Sequence, residues 1–315
     1  MTQVTGAARP SRPGRTPHVT HASTRLRRID AATGLAFVAP LVLGVIVLGL
    51  VPFAYVIWYS LHDWSPLSGR FEWIGLDNFA TMLGDARVWS SLGTTFAFAG
   101  MLMVLNIPFA LLLAVLLNRR IRGVGVFRAA FFFPVVVSGV AWVVVWSYLV
   151  APNGGINGVL ALVGVAGPNW LREPGWALFT VVVIQVFKGL GLNMIFFLAA
   201  LQGVPTELVE AARMDGAGRF TVFRSIVLPL IAPTILMVCI LTAIGAMDVF
   251  VPIQVLTSGG PGDSTTVLSY LLYRTAFAEQ RFGYASAIGV LLFVVVFALA
   301  ALQWSSRRAW IHDEV

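Results

Sequence analysis

The sequence predicts an all-α, polytopic membrane protein with six transmembrane helices. Three observations predict it. The 315 residues are 58% hydrophobic and 11% charged, against about a quarter charged in soluble domains. The apolar residues gather into six long blocks that are nearly free of charge. The arginines fall mostly between those blocks, and alternate loops hold very different numbers of them. A chain this apolar cannot cover itself with polar surface in water. Its solvent is lipid, where helices satisfy their own backbone.

Residues 1–32 are rich in Arg, Pro, Thr and Ala, show no apolar period, and read as a disordered basic tail. The apolar run that follows is far longer than the core of a signal peptide. The spans are expected at about 33–61, 88–117, 129–150, 176–201, 225–256 and 284–304, with a short tail at 305–315. About 20 residues rising ~1.5 Å each cross the hydrocarbon, so every block is long enough. Pro40, Pro52, Pro108, Pro134, Pro233 and Pro252 lie inside these blocks. They do not veto the spans, because neighbouring helices and water can satisfy the carbonyls a proline frees.

Orientation follows from the basic residues. With the N-terminus inside, the inner segments 1–32, 118–128, 202–224 and 305–315 hold fifteen of them, and the outer segments 62–87, 151–175 and 257–283 hold five. Both termini are therefore expected in the cytoplasm. This placement also argues against nucleic acid as the reason for the net charge of +7. On the outer side, 155–166 is too short to span and reads as a surface helix. Residues 266–277, with Val267, Leu271 and Leu272 on roughly one face, read as an amphipathic helix, and the GGPG at 259–262 as a turn. The single cysteine, Cys239, lies in an apolar run and reads as a small core residue.

The inner loop 202–224 stands out. Pro205 ends the preceding segment, Thr206 is the expected N-cap, and Glu207 and Glu210 fall in the first turns of a helix, where negative charge suits the dipole. Leu208, Ala211, Ala212 and Asp215 share one side, and the two alanines let another surface approach closely. Gly216 and Gly218 then permit a sharp redirection. Ile226, Leu228 and Pro229 open the next span.

The order Glu210-Ala211-Ala212, three residues, Gly216, nine residues, Ile226, one residue, Leu228-Pro229 resembles the EAA loop of ABC importer permeases, with no position departing. LTSGGPGDSTTVLSYLLYRTAF (256–277), GYASAIGV (283–290) and FEWIGLDNFATML (71–83) resemble the first permease subunit of maltose, multiple-sugar and glycerol-3-phosphate importers. The likeness covers most of the chain from about residue 33 and is weak in 151–175. It implies the ABC importer permease fold, with a cytoplasmic coupling helix seated in a groove of an ATP-binding subunit. It implies a sugar moved by alternating access, and three kinds of partner: a second permease, an ATP-binding subunit dimer, and an extracytoplasmic sugar-binding protein. No cofactor is expected on this chain. ATP and magnesium are expected on the partner ATPase, since no G-x-x-x-x-G-K-[ST] loop occurs here.

Lys188 and Asp248 are the ionisable residues well inside spans, roughly 18 and 12 Å from the outer ends by helical rise, so they are expected to approach each other. Three readings stay open: an ion pair holding two helices, a polar sugar lining, and a proton relay. Gln185, Lys188, Gly189 and Asn193 form a polar stripe, which in lipid must face protein or water. Trp142, Trp146 and Tyr148 are candidate stacking surfaces or belt anchors. An ion-gradient-driven secondary transporter is the rival, but it would call for more intramembrane carboxylates. Catalysis is not expected, because no histidine lies in a span.

Overall fold

The computed structural model describes residues 24–119 and 122–310. The chain divides into two compact units, 1–54 and 55–315. The first holds α1 (Thr24–Val45), a π-turn (Ile46–Leu50) and the start of α2 (Val51–Ser60). Pro52 lacks an N–H and its ring crowds the carbonyl four residues back, and the widened turn just ahead of it accommodates both. Helix thus begins at Thr24, inside the segment expected to be a disordered tail. The run Arg25-Leu26-Arg27-Arg28 consists of good helix formers. The rest of that tail, 1–23, lies outside the described residues.

The second unit opens with a hairpin that the sequence reading did not anticipate. Strands β1 (His62–Ser65) and β2 (Arg70–Trp73) pair antiparallel, His62 opposite Trp73 and Ser65 opposite Arg70. The turn between them ends at Gly69, whose φ of +66° suits glycine. Helix α3 (Asp77–Gly84) follows, and Asp85 caps α4 (Ala86–Leu117) by accepting from the Arg87 backbone N–H at 2.9 Å.

The third apolar block is not one straight span. It forms α5 (Val124–Val136) and α6 (Gly139–Leu149), which meet at 104°. A short helix α7 (Gly155–Leu162) precedes α8 (Pro174–Gln202), which is unbroken and carries the polar stripe. The inner loop forms α9 (Thr206–Met214) and α10 (Arg219–Val222). The fifth block is also broken. A π-turn (Phe223–Val227) and α11 (Leu228–Leu230) bend by 66° into α12 (Ala232–Met247), and α13 (Val251–Leu256) is separate. Pro229, Pro233 and Pro252 each sit in the first turn of one of these pieces, where a missing N–H costs nothing. The chain ends with α14 (Leu268–Tyr273), a π-turn (Arg274–Ala278) and α15 (Phe282–Trp310). Residues 305–310 are thus helical rather than tail. Segment 266–277 is helical from Leu268 on, as expected, but Leu268 to Leu271 are all buried.

Among the described residues four helices are long and apolar enough to cross a membrane, or up to six crossings result if each bent pair counts as one. The core is the pairing of α4 with α8, where Phe98, Leu102, Ala110 and Ala114 join Val181, Val182, Met194 and Phe197. Helices α5 and α12 pack on this pair, and α14 and α15 form a second cluster with α3 around Met82, Leu268, Leu271 and Ile288. Large apolar side chains left exposed, such as Val104, Leu112, Phe293 and Phe297, suit a lipid surround.

The contact of α5 with α8 depends on a missing side chain. A Cβ on Gly191 would lie 2.8 Å from the Phe132 Cα and collide with the Phe131 carbonyl. Gly191→Val is expected to destabilise by about 1–3 kcal/mol, since backbone must move. Gly100→Ala, where a Cβ meets nothing within 4 Å, serves as the control. Thermal unfolding of both variants in detergent checks this: equal midpoints would show that α5 does not need the close approach.

Candidate functional site

The breaks in the third and fifth blocks surround a cavity of about 570 Å³. Gln185 and Lys188 of α8, Asp248 after α12, and Phe250, Ser269 and Tyr273 are among its lining residues. A second cavity of about 260 Å³ shares Gln185 and Lys188 and adds Gly189 and Asn193. The polar stripe therefore faces the interior along its length, as lipid requires.

Lys188 is positioned by the break in the third block. Helix α5 stops at Val136, and its final carbonyls have no intrahelical donor. The Lys188 ammonium donates to the Val137 carbonyl at 2.9 Å and to the Pro134 carbonyl at 3.3 Å. A cation at the negative end of a helix is also favoured electrostatically. The Trp142 ring lies 5.9 Å from Nζ, and its own N–H donates to the Ile184 carbonyl at 3.2 Å.

Asp248 lies in the same cavity but does not pair with Lys188. Among the described residues the ion pairs are Arg70–Asp63, Arg87–Asp85, Arg87–Glu279 and Arg274–Asp263. The ion-pair reading is therefore corrected, and the reason is visible: the broken end of α5 supplies the lysine's partners. Asp248 is exposed and stands at the C-terminal cap of α12.

Asn193 is held within a polar network. Its Nδ2 donates to Asn106 Oδ1 at 2.6 Å and to Thr242 Oγ1 at 3.2 Å, while Asn106 Nδ2 donates to the Val186 carbonyl at 3.0 Å. These bonds join α4, α8 and α12. Asn106 and Thr242 were missed in the sequence because attention went to ionisable residues. A lone amide in a long apolar block was the available signal. Of the aromatic candidates, Trp142 and Trp146 stack edge to face at 5.8 Å and Trp146 meets Phe187 at 5.6 Å. Tyr148 points outward, 74% exposed, whereas Phe250 and Tyr273, at 4.8 Å, supply the aromatic wall of the larger cavity.

The inner loop has the geometry its glycine demands. The Ala217 N–H bonds the Ala212 carbonyl at 2.9 Å and the Gly216 N–H bonds the Arg213 carbonyl at 3.1 Å, the paired closure of a Schellman motif. Gly216 has φ +84°, whereas Gly218 is extended at the cap of α10. Pro205, not Thr206, holds the N-cap position, and no side chain caps the helix. No residue of α9 is buried, with Leu208 47% and Met214 88% exposed. Glu210 and Ala211 lie on the open surface, Ala212 is half-buried and Asp215 ends the helix. Ile226 falls in the π-turn, and Leu228 and Pro229 in α11, so they precede the bend rather than open a straight span.

The loop 256–277 is cross-tied. Thr265 Oγ1 lies 2.8 Å from both the Gly260 carbonyl oxygen and Thr257 Oγ1, within hydrogen-bond reach of each. The Arg274 guanidinium beside Asp263 holds that carboxyl below the usual carboxylate range, with Thr266 assisting and burial opposing. Among the described residues no three His, Cys, Asp or Glu side chains gather to hold a metal.

Residues 106–310 match the family described as the binding-protein-dependent transport system inner membrane component. The chain is 36% identical over 289 residues to the diacetylchitobiose uptake system permease protein NgcF of Streptomyces coelicolor, covering 87% of this chain and 82% of that protein. It is 34% identical over 290 residues to the trehalose/maltose transport system permease protein MalF of Thermococcus litoralis, covering 91% and 97%. A chain from a crystal structure of a bacterial ABC transporter involved in importing the acidic polysaccharide alginate superposes with a TM-score of 0.77 at 24% identity, over 90% of this chain and 99% of that one. The chain belongs to this family of importer permeases, and it is a multi-pass membrane transport subunit rather than an enzyme.

Lys188→Met leaves the Val137 and Pro134 carbonyls without their donor and is expected to cost about 1–3 kcal/mol of stability. Asp248→Leu is expected to change stability by the same amount in the parent and in the Lys188→Met variant, because the two do not pair. A double-mutant cycle on thermal unfolding checks this, and a coupling energy of about 1 kcal/mol or more would return the ion pair.

Proposed function

We propose that this permease subunit moves a sugar inward by alternating access, driven by ATP bound with magnesium on a separate subunit that grips α9. The observation that carries the reading is the state of α9. It is an amphipathic helix closed by a Schellman turn, with its apolar Leu208 and Met214 left bare by its own chain. A helix of nine residues is too short to be stable on propensity alone, so an uncovered one argues for a partner. The alanines permit close approach, and Glu210 is placed to meet a basic group on that partner. Residues 206–220 thus form the coupling element.

In this reading the chain makes six crossings, each bent pair counting as one, with both termini in the cytoplasm. Its domain is 33–304, and 202–224 is the coupling loop. A second permease supplies the other half of the pathway, and an extracytoplasmic binding protein delivers the cargo. The sugar assignment rests on the cargo that the names of the relatives carry. Gln185, Lys188, Asn193 and Asp248 mark the path, with Lys188 and Asn193 holding its walls in place.

Glu210→Lys reverses the charge that the partner meets. ATP-binding subunits are expected to stop copurifying with the tagged chain, and uptake to be lost, while membrane insertion persists. Normal copurification and uptake would show that α9 is not the docking element. Gly216→Val meets open space but forces a branched residue into left-handed backbone, at about 1–2 kcal/mol. Transport is expected to fall more than insertion does, measured as uptake per membrane-inserted chain. Unchanged uptake would remove the turn from the coupling mechanism.

A further inference from the structure

We infer that the larger cavity selects neutral, hydroxyl-rich sugars over acidic ones, and that Asp248 is the residue that discriminates. The inference rests on the sugar reading above and extends it to the charge of the cargo.

Lys188 and Asp248 are the two charged side chains lining the cavity, and they are not equivalent. The Lys188 ammonium is engaged, with two of its three N–H groups donated to the carbonyls at the end of α5. Its positive charge also meets the negative end of that helix. The charge has a structural role, and the helix end offsets about half of it. Asp248 has no such role. Its carboxylate accepts no hydrogen bond and joins no ion pair among the described residues. It also sits at the C-terminal end of α12, where the helix dipole opposes a negative charge. It is exposed to the cavity.

The other polar groups of the wall leave that charge uncontested. Gln185 Oε1 is buried, and Ser269 Oγ already donates to the Val249 carbonyl at 2.7 Å. The Asp248 carboxylate is the free charge on the wall, and its two oxygens accept hydrogen bonds and donate none. Acceptors are satisfied by hydroxyl donors, which a neutral sugar carries on every side. Phosphates and uronates bring further acceptors and like charge, which the Asp248 carboxylate repels. Phe250 and Tyr273 offer ring faces to the apolar side of a pyranose.

The test measures binding to the membrane complex that copurifies with the full chain, in nanodiscs, without binding protein. Saturation-transfer NMR compares maltotriose, trehalose and N,N′-diacetylchitobiose with an alginate trisaccharide and glycerol 3-phosphate. At least one neutral sugar is expected to bind, and each acidic probe to bind at least about tenfold more weakly. Asp248→Asn should reduce that preference about tenfold or more, and Asp248→Glu should retain it. An acidic probe that binds the parent as well as the neutral sugars overturns the inference while leaving the sugar reading intact. So does an Asp248→Asn complex whose preference is unchanged. Failure of every sugar, neutral and acidic, to bind the parent complex overturns the sugar reading and the inference with it.

Discussion

A polar group in the hydrocarbon must find its partner inside the protein, and this constraint shapes the bundle. In water, the free carbonyls at the end of α5 would be solvated. Here they are met by Lys188, reaching across from α8. The break in the third block and the lysine in the fourth are therefore two halves of one feature. The helix can stop inside the bundle because a cation caps it, and the cation can be buried because a helix stops there. The Asn106–Asn193–Thr242 network meets the same demand between three helices, each amide satisfied by another. Such bonds specify which helices meet, because displacing any one of them strands the others.

In the proposed mechanism the breaks lie where movement enters the bundle. From Gly216 the chain runs through α10, a π-turn, α11 and a 66° bend into α12, which ends at Asp248 on the cavity wall. This segment joins the exposed helix α9 directly to the cavity. Its irregularities are proline-linked: Pro229 and Pro233 each start a piece, so the bend at Ile231 lies where two helix beginnings leave few bonds to break. Helix α8, by contrast, is unbroken and buried along much of its length. In the proposed mechanism it is the fixed member against which α12 shifts.

Much of this was legible in the sequence, and the failures have physical causes. The apolar blocks were legible because lipid punishes exceptions, and among the described residues four helices, or six crossings with the bent pairs, are long and apolar enough to span. The helix stop at Gly216 was legible too, since only glycine takes that left-handed conformation without strain. The bends did not read. Pro134 and Pro233 looked tolerable within straight spans, and hydropathy carries no angle: both halves of a broken helix are equally apolar. The hairpin 62–73 was missed because apolar block length was the only period sought there, although aromatic alternation around Pro-Leu-Ser-Gly marks a strand pair. The depths of Lys188 and Asp248 placed them at one cavity, but depth along two helices says nothing about competing partners. The carbonyls that took the lysine became available only once α5 was broken.

That competition settles what the two charges do. Had α5 and α6 formed one straight helix, the carbonyls of Pro134 and Val137 would have been engaged within it or aimed elsewhere. Lys188 would then have needed Asp248, and pairing would have drawn α8 and α12 together across the space that is now the cavity. With the break, the lysine is satisfied by the third block and the acid is left facing the opening. An unpaired carboxylate at the wrong end of a helix is costly unless water or cargo meets it. The bend that caps one charge thus keeps the cavity open and leaves the other free to meet what passes through it.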